Sequence, residues 1–163
     1  MIRAYVESDC EALAGIYSRT VARRAVADYT GPQIEAWLSI APTSQRIAEF
    51  YSDGRLALVA VDNRGRPIGF SDMEADGHIQ FLYVDPAATG RGVGARLLAE
   101  IEAAARQSEL ARLYSESSET ALSVFLKAGF TSLQRRNLVV AGTGIHNYAV
   151  EKRLLAEARS ASG

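Results

Sequence analysis

Between residues 78 and 105 the sequence passes from a strand pattern through a glycine-rich turn into a helical pattern, and no other stretch restricts the fold as strongly. Ile79, Phe81, Leu82, Tyr83 and Val84 are apolar and favour a strand. Asp85-Pro86 ends it, because proline has no N–H to give to a ladder. Thr89-Gly90-Arg91-Gly92-Val93-Gly94 follows, and Val93, Leu97, Leu98 and Ile101 then recur at helical spacing. A helix that starts on such a turn presents unpaired N–H groups and the positive end of its dipole to whatever lies in front. Glycines let this backbone approach a phosphate closely, and Arg91 adds a positive charge. The stretch reads as a pyrophosphate cradle.

Three kinds of ligand compete for it. A nucleoside-triphosphate loop needs G-x-x-x-x-G-K-[ST], and the sequence has no Lys-Ser or Lys-Thr pair. Gly90, Gly92 and Ala95 match the dinucleotide fingerprint G-x-G-x-x-A. However, residues 85–89 separate that first glycine from the strand, and the later segments do not alternate as parallel β and α. Coenzyme A is the third. Against all three stands a plain turn at a helix start, which leaves the coincidence of spaced glycines, an arginine and a flanking strand without a reason.

Val84-Asp85-Pro86 and the run from Arg91 through Gly92, Val93, Gly94, Ala95, Arg96, Leu97 and Leu98 resemble the acyl-CoA-binding motif [QR]-x-x-G-x-[GA] of the GNAT superfamily of N-acetyltransferases. Gly92 and Gly94 take its two glycine positions. Thr89 takes its Gln/Arg position, a departure that leaves the backbone donors in place. Ala121, Gly129 and Phe130 likewise resemble the superfamily segment A-x-x-x-Y-x-x-x-G-F, with Phe125 where the tyrosine stands. The resemblance implies a mixed α/β (α+β) fold, with a central, mostly antiparallel twisted sheet of about seven strands, a splayed parallel pair and about four to five flanking helices. It implies acetyl-CoA as co-substrate. The pyrophosphate would lie on Thr89, Gly90, Arg91, Gly92, Val93, Gly94 and Ala95. The pantetheine arm would lie along Leu82, Tyr83 and Val84, with Ser117 and Phe125 beside it. A backbone N–H near Leu82 would polarise the thioester carbonyl. The implied reaction moves an acetyl group to a primary amine of a small molecule, by direct attack in a ternary complex.

The 163 residues, 48% hydrophobic and 23% charged, suit one ordinary globular domain, read as residues 1–155 with a frayed tail at 156–163. A net charge of −1 gives no general pull toward nucleic acid or an anionic membrane. The single cysteine, Cys10, has no partner for an intramolecular disulfide and reads as a helix residue. No signal peptide precedes the first strand pattern, and no apolar run approaches the ~20 residues needed to span a bilayer. A cytoplasmic location is expected. Oligomeric state is open, a homodimer included.

Taken in order, residues 2–6 read as a strand and Ser8 with Glu11 as a capping box. A helix follows that buries Leu13, Ile16, Tyr17 and Val21. Arg23 and Arg24 suit the negative end of its dipole. Pro32 marks the start of a short helix flanked by Tyr29 and Trp37, which read either as core aromatics or, as the resemblance implies for this region and for Tyr148 on the last strand, as walls of an acceptor pocket. Residues 43–51 form a further helix. Strands at 56–61 and 68–75 make a hairpin, and Asp76-Gly77 turns into the central strand. Beyond the cradle helix come a strand at 112–115, a helix at 117–128 capped by Ser117 or Ser118, and strands at 130–140 and 145–152 around a Gly142–Gly144 turn.

Acetyl transfer needs a neutral amine, a donor for the developing oxyanion and a proton for sulfur. Phe125 cannot supply that proton, so Tyr83, Tyr114 and Tyr148 stand as substitutes. Glu74, Asp72 and His146 are the candidate bases, and His78 is the other imidazole. Two histidines and one cysteine, widely spaced, match no metal-ligand pattern. Two other functions fit the same motifs: a non-catalytic acyl-CoA sensor, suggested by Phe125 and Thr89, and toxin-like acetylation of aminoacyl-tRNA, suggested by Arg135 and Arg136.

Overall fold

A computed structural model describes residues 1–155; the segment 156–163, read above as a frayed tail, lies outside the described residues. The strands are β1 (Ile2–Ala4), β2 (Leu56–Val61), β3 (Pro67–Met73), β4 (His78–Ile79), β5 (Leu82–Val84), β6 (Arg112–Ser117), β7 (Thr131–Val140) and β8 (Thr143–Arg153). The α-helices are α1 (Cys10–Arg24), α2 (Gly31–Ser39), α3 (Ser44–Phe50), α4 (Val93–Gln107) and α5 (Glu119–Lys127). One sheet runs β1-β2-β3-β5 and a second runs β4-β6-β8-β7. Among the described residues only β4 and β6 pair in parallel, with His78 opposite Tyr114 and Ile79 opposite Ser115. The expected mixed fold, mostly antiparallel with one parallel pair, is present.

The strand count differs for a physical reason. The central strand breaks into β4 and β5 because the Asp72 carboxylate accepts the Gln80 N–H (3.0 Å) and the Phe81 N–H (2.8 Å), taking both out of any ladder. Ser71 donates to the Phe81 carbonyl (2.7 Å), and Ser115 donates to that of Ile79 (2.6 Å). Side chains thus satisfy the backbone at the point where the sheets part, as buried polar groups require. Asp72 is itself held by Arg55 (3.0 Å), which also reaches Asp53 (2.8 Å), Glu74 (3.0 Å) and Gln80 (2.8 Å). Gly77 allows the parallel approach: its φ is +94°, and a Cβ there would lie 2.2 Å from the Arg112 carbonyl oxygen.

His78 clasps the two sheets. Its Nδ1 lies 2.5 Å from Glu74 and its Nε2 lies 2.6 Å from Glu116 on β6. The Glu116 bond, helped by Glu74 and opposed by burial, raises the imidazole to about 9. A folded pKa above the unfolded value means the clasp contributes fully below about pH 6.5 and is lost as pH rises through about 9. Calorimetric unfolding should therefore show a melting temperature that falls across this window. His78→Gln should flatten that fall, and an unchanged slope would remove His78 as its source.

Helix α1 buries Leu13, Ile16, Tyr17 and Val21, the face expected from its period. Its start does not use Ser8 and Glu11. The Asp9 carboxylate accepts the Val6 N–H (2.9 Å) and pairs with Arg3 (2.9 Å), tying the turn to β1, which a serine hydroxyl could not do by charge. Thr30 caps α2 reciprocally with Gln33, and Ser118 rather than Ser117 caps α5. The last hairpin turns at Ala141-Gly142 instead of 142–144, with φ of 48° and 78°, the two-residue geometry that matches strand twist. Helix α4 buries Val93, Leu97, Leu98 and Ile101 and packs across β2, β3 and β5.

Candidate active site

The splay exposes the inner edge of β5. The Asp85 N–H bonds to the Ile68 carbonyl (2.8 Å), so by antiparallel alternation Tyr83 spends its backbone groups on Phe70. Leu82 and Val84 then turn theirs to the open edge, where the Thr20 hydroxyl takes the Val84 carbonyl (2.9 Å). One residue earlier on α1, Arg19 grips Asp85 (2.6 Å), and Asp85 accepts the Ala87 N–H (3.0 Å). The strand-to-loop junction is thus fixed from two sides. Gly92, with φ +71°, swings the chain into α4. The first intrahelical bond runs from the Arg96 N–H to the Gly92 carbonyl (3.1 Å), so the amides of Val93, Gly94 and Ala95 have no helical partner.

These groups border a cleft of about 370 Å³. Of the residues expected at the co-substrate, Leu82, Tyr83, Val84, Thr89, Gly90, Gly92, Val93, Gly94 and Ala95 line it. Arg91 is exposed outside it, and Ser117 and Phe125 line a different cavity. Its cations are instead Arg24, at the end of α1, and Lys127, at the end of α5. Arg24 is readable in the sequence only as a helix-dipole residue, since nothing local says that the ends of two distant helices flank one cleft.

A second cavity, about 190 Å³, shares Trp37, Leu82, Tyr83, Ser118 and Ala121 with the cleft, so the two meet at the inner edge of β5. Tyr29, Phe125, Ile145 and His146 are among its walls. Phe125 is 2% exposed and packs edge-on against Phe130, away from the cleft. His146 Nε2 lies 2.6 Å from Glu119, whose carboxylate also accepts the Tyr148 hydroxyl (2.7 Å). The Tyr148 hydroxyl and then His146 hold the Glu119 carboxyl below its usual value. The Tyr29 hydroxyl accepts the Glu119 N–H (2.8 Å) and donates to the His146 carbonyl (3.0 Å). Burial raises the Tyr83 phenol well above its usual value and keeps it protonated. The network joins Tyr29, Tyr148 and His146, all singled out from sequence, through Glu119, which was not. The capping position of Ser118 was the available signal that Glu119 opens a helix.

The other expected catalytic groups are placed elsewhere. Glu74 is bound to Arg55 and His78, Asp72 is buried under the strand break, and the Tyr114 hydroxyl is bound to Asp76. None of them lines either cavity. Among the described residues no group of three or more His, Cys, Asp or Glu is placed to hold a metal ion, and no helix is long and apolar enough to cross a membrane.

Residues 25–152, more than half of the chain, match the family model of the acetyltransferase (GNAT) domain. The chain belongs to the GNAT acetyltransferases. It is 31% identical over 147 residues to the uncharacterized N-acetyltransferase YafP of Escherichia coli strain K12, covering 90% of this chain and 91% of that one. The GCN5-related N-acetyltransferase structure from Rhodopseudomonas palustris superposes with a TM-score of 0.86 at 31% identity, over 94% of this chain and 95% of that one. The structure of yncA from Salmonella typhimurium, which contains its cofactor acetyl-CoA, shares the fold with a TM-score of 0.75 at 19% identity, over 100% and 98% of the two chains. This GNAT protein is an acetyl-CoA-dependent N-acetyltransferase, as its two motifs implied.

Proposed function

We propose that residues 1–155 form one catalytic domain that moves an acetyl group from acetyl-CoA to the primary amine of a small molecule, by direct attack in a ternary complex. One observation carries this: a cleft with a helix N-terminus at its margin opens, at Leu82 and Tyr83, into a second cavity lined by His146, which Glu119 holds from behind the wall. Two substrates can meet there without a covalent enzyme intermediate.

The cleft fits a CoA thioester. The amides of Val93, Gly94 and Ala95, with Arg24 and Lys127, supply donors and charge for a pyrophosphate. The open-edge groups of Leu82 and Val84 suit the amides of a pantetheine arm, and the Leu82 N–H is the donor assigned to the carbonyl oxygen. His146, oriented by Glu119, takes the proton that the ammonium must lose before its lone pair can attack. A C–N bond then forms as the C–S bond breaks and the electron pair leaves on sulfur. A thiol of pKa ~8.5 leaves tolerably as thiolate at neutral pH, so Phe125 need not be an acid. Tyr83, protonated and shared by both cavities, is the hydroxyl assigned to the leaving sulfur. A cytoplasmic location accords with the single unpaired cysteine, Cys10.

His146→Ala should lower kcat/KM by about 100- to 1,000-fold, the usual worth of a general base, with acetyl-CoA affinity within twofold because His146 does not line the cleft. Thiol release and calorimetric titration, with NAD as control ligand, read the two quantities separately. Wild-type turnover in that variant would remove His146 from the chemistry. Tight acetyl-CoA binding without turnover on any amine would leave an acyl-CoA sensor in place of an enzyme.

A further inference from the structure

The geometry points to an acceptor of one class: a primary ammonium on a compact apolar or aromatic body that carries no carboxylate. This rests on the acetyl-transfer reading and names which amines its second cavity takes. The two cavities differ in charge. Among the described residues, the cleft is lined by Arg24 and Lys127 and by no Asp or Glu, whereas the acceptor cavity is lined by Glu116 and by no Lys or Arg.

Among the described residues, no Lys or Arg lines the acceptor cavity to pair with a substrate carboxylate. His78 (2.6 Å) and Arg136 (3.8 Å) are engaged with Glu116 and do not line it. His146 is bound through Nε2 to Glu119, which adds a second carboxylate behind the wall. Two of the amides that open α5 are also spent, because the Glu119 N–H goes to the Tyr29 hydroxyl (2.8 Å) and the Ala121 N–H to Ser118 Oγ (3.1 Å). A carboxylate entering this space would lose its water and gain only repulsion. An ammonium would not. Glu116 and Asn147 both line the cavity wall, and the Asn147 side-chain oxygen is a buried acceptor with no hydrogen-bond partner among the described residues. The rest of the wall includes Tyr29, Trp37, Ile40, Leu138, Val140 and Ile145, which can bury an apolar body, beside the shorter polar side chains of Gln80, Ser115, Ser117 and Ser118.

The test compares 2-phenylethylamine with phenylalanine, the same body plus one carboxylate, and with glucosamine, an amine on a polar body. With wild-type enzyme and acetyl-CoA, kcat/KM from thiol release should be at least about 100-fold higher for 2-phenylethylamine than for phenylalanine, since a buried unpaired charge costs several kcal/mol, and also higher than for glucosamine, whose ring leaves the apolar side chains of the wall without an apolar partner. Glu116→Lys should cut the preference over phenylalanine at least tenfold. Acetyl-CoA affinity should be unchanged in that variant, because Glu116 does not line the cleft, and calorimetry thereby reports that the variant is folded. Equal or better use of phenylalanine or glucosamine overturns the acceptor class and leaves acetyl transfer standing. A preference that survives Glu116→Lys removes Glu116 as its source. No thiol release from any of the three, with acetyl-CoA binding intact, overturns the acceptor class, and its extension to a broad amine panel overturns the transfer reading with it.

Discussion

Gly92→Glu should lower acetyl-CoA affinity by at least about 100-fold, because a carboxylate at that position occupies the place proposed for the pyrophosphate and repels it. A Cβ at Gly92 would meet nothing within 4 Å, so the new side chain extends freely at the margin of the cleft. There it would cover the partnerless amides of Val93, Gly94 and Ala95. The backbone contributes a smaller cost: φ is +71°, and a non-glycine residue held there pays roughly 1–2 kcal/mol. Gly92→Ala carries that backbone cost without the charge, and its acetyl-CoA affinity should fall by only about tenfold or less. The two variants separate strain from electrostatics. Calorimetric titration measures the affinities, and thermal unfolding checks that each variant is folded. Wild-type affinity in Gly92→Glu would place the pyrophosphate elsewhere.

Arg55→Leu should cost about 3–5 kcal/mol at pH 7, the usual loss when one member of a buried ion pair is removed. Arg55 and Asp72 have side chains 6% and 0% exposed, so Asp72 would be left charged with no cation beside it. Burial raises the Asp72 carboxyl to about 6, against the Phe81 N–H and Arg55, which pull it down. A folded pKa above the unfolded one means the carboxylate form is disfavoured by folding, so Asp72's contribution weakens as pH rises from about 4 through about 6. Without Arg55 the opposition to burial weakens, and the penalty at pH 7 grows. The deficit of the variant should therefore be clearly smaller at pH 5, where the carboxyl is protonated in both proteins. Urea unfolding at the two pH values measures this, and an equal deficit at both would mean that lost packing on Phe50 and Tyr51, not charge, is the cause. Because Asp72 holds the amides at the strand break, the variant should also bind acetyl-CoA less tightly.

The elements visible in the sequence were those with local causes. Helix α4 was readable from Val93, Leu97, Leu98 and Ile101, and α5 from its serine cap and the glycine that ends it with φ +93°. The last hairpin was readable, but not its turn residues, because Gly142 and Gly144 are both plausible turn glycines and only pairing fixes which is used. The split of the central strand could not be read at all. It depends on Asp72 meeting the amides of Gln80 and Phe81, eight and nine residues away across a turn. Glu74 looked like a base by type and position, yet Arg55 and His78 claim it.

By itself the sequence determined the helix N-terminus that makes the cradle, the family that this motif marks, and the absence of a tyrosine at Phe125. Each of these is written in contiguous residues, whose spacing alone sets which backbone groups are free. The tertiary structure decided which side chains share a cavity. Arg24 and Lys127 come to the cleft, and Glu116, Asn147 and His146 to the acceptor cavity, from strands and helices distant in the chain. The physical reason is that burial and charge pairing depend on what packs opposite a residue, and no local pattern in α1 or β8 encodes its neighbour across the splay.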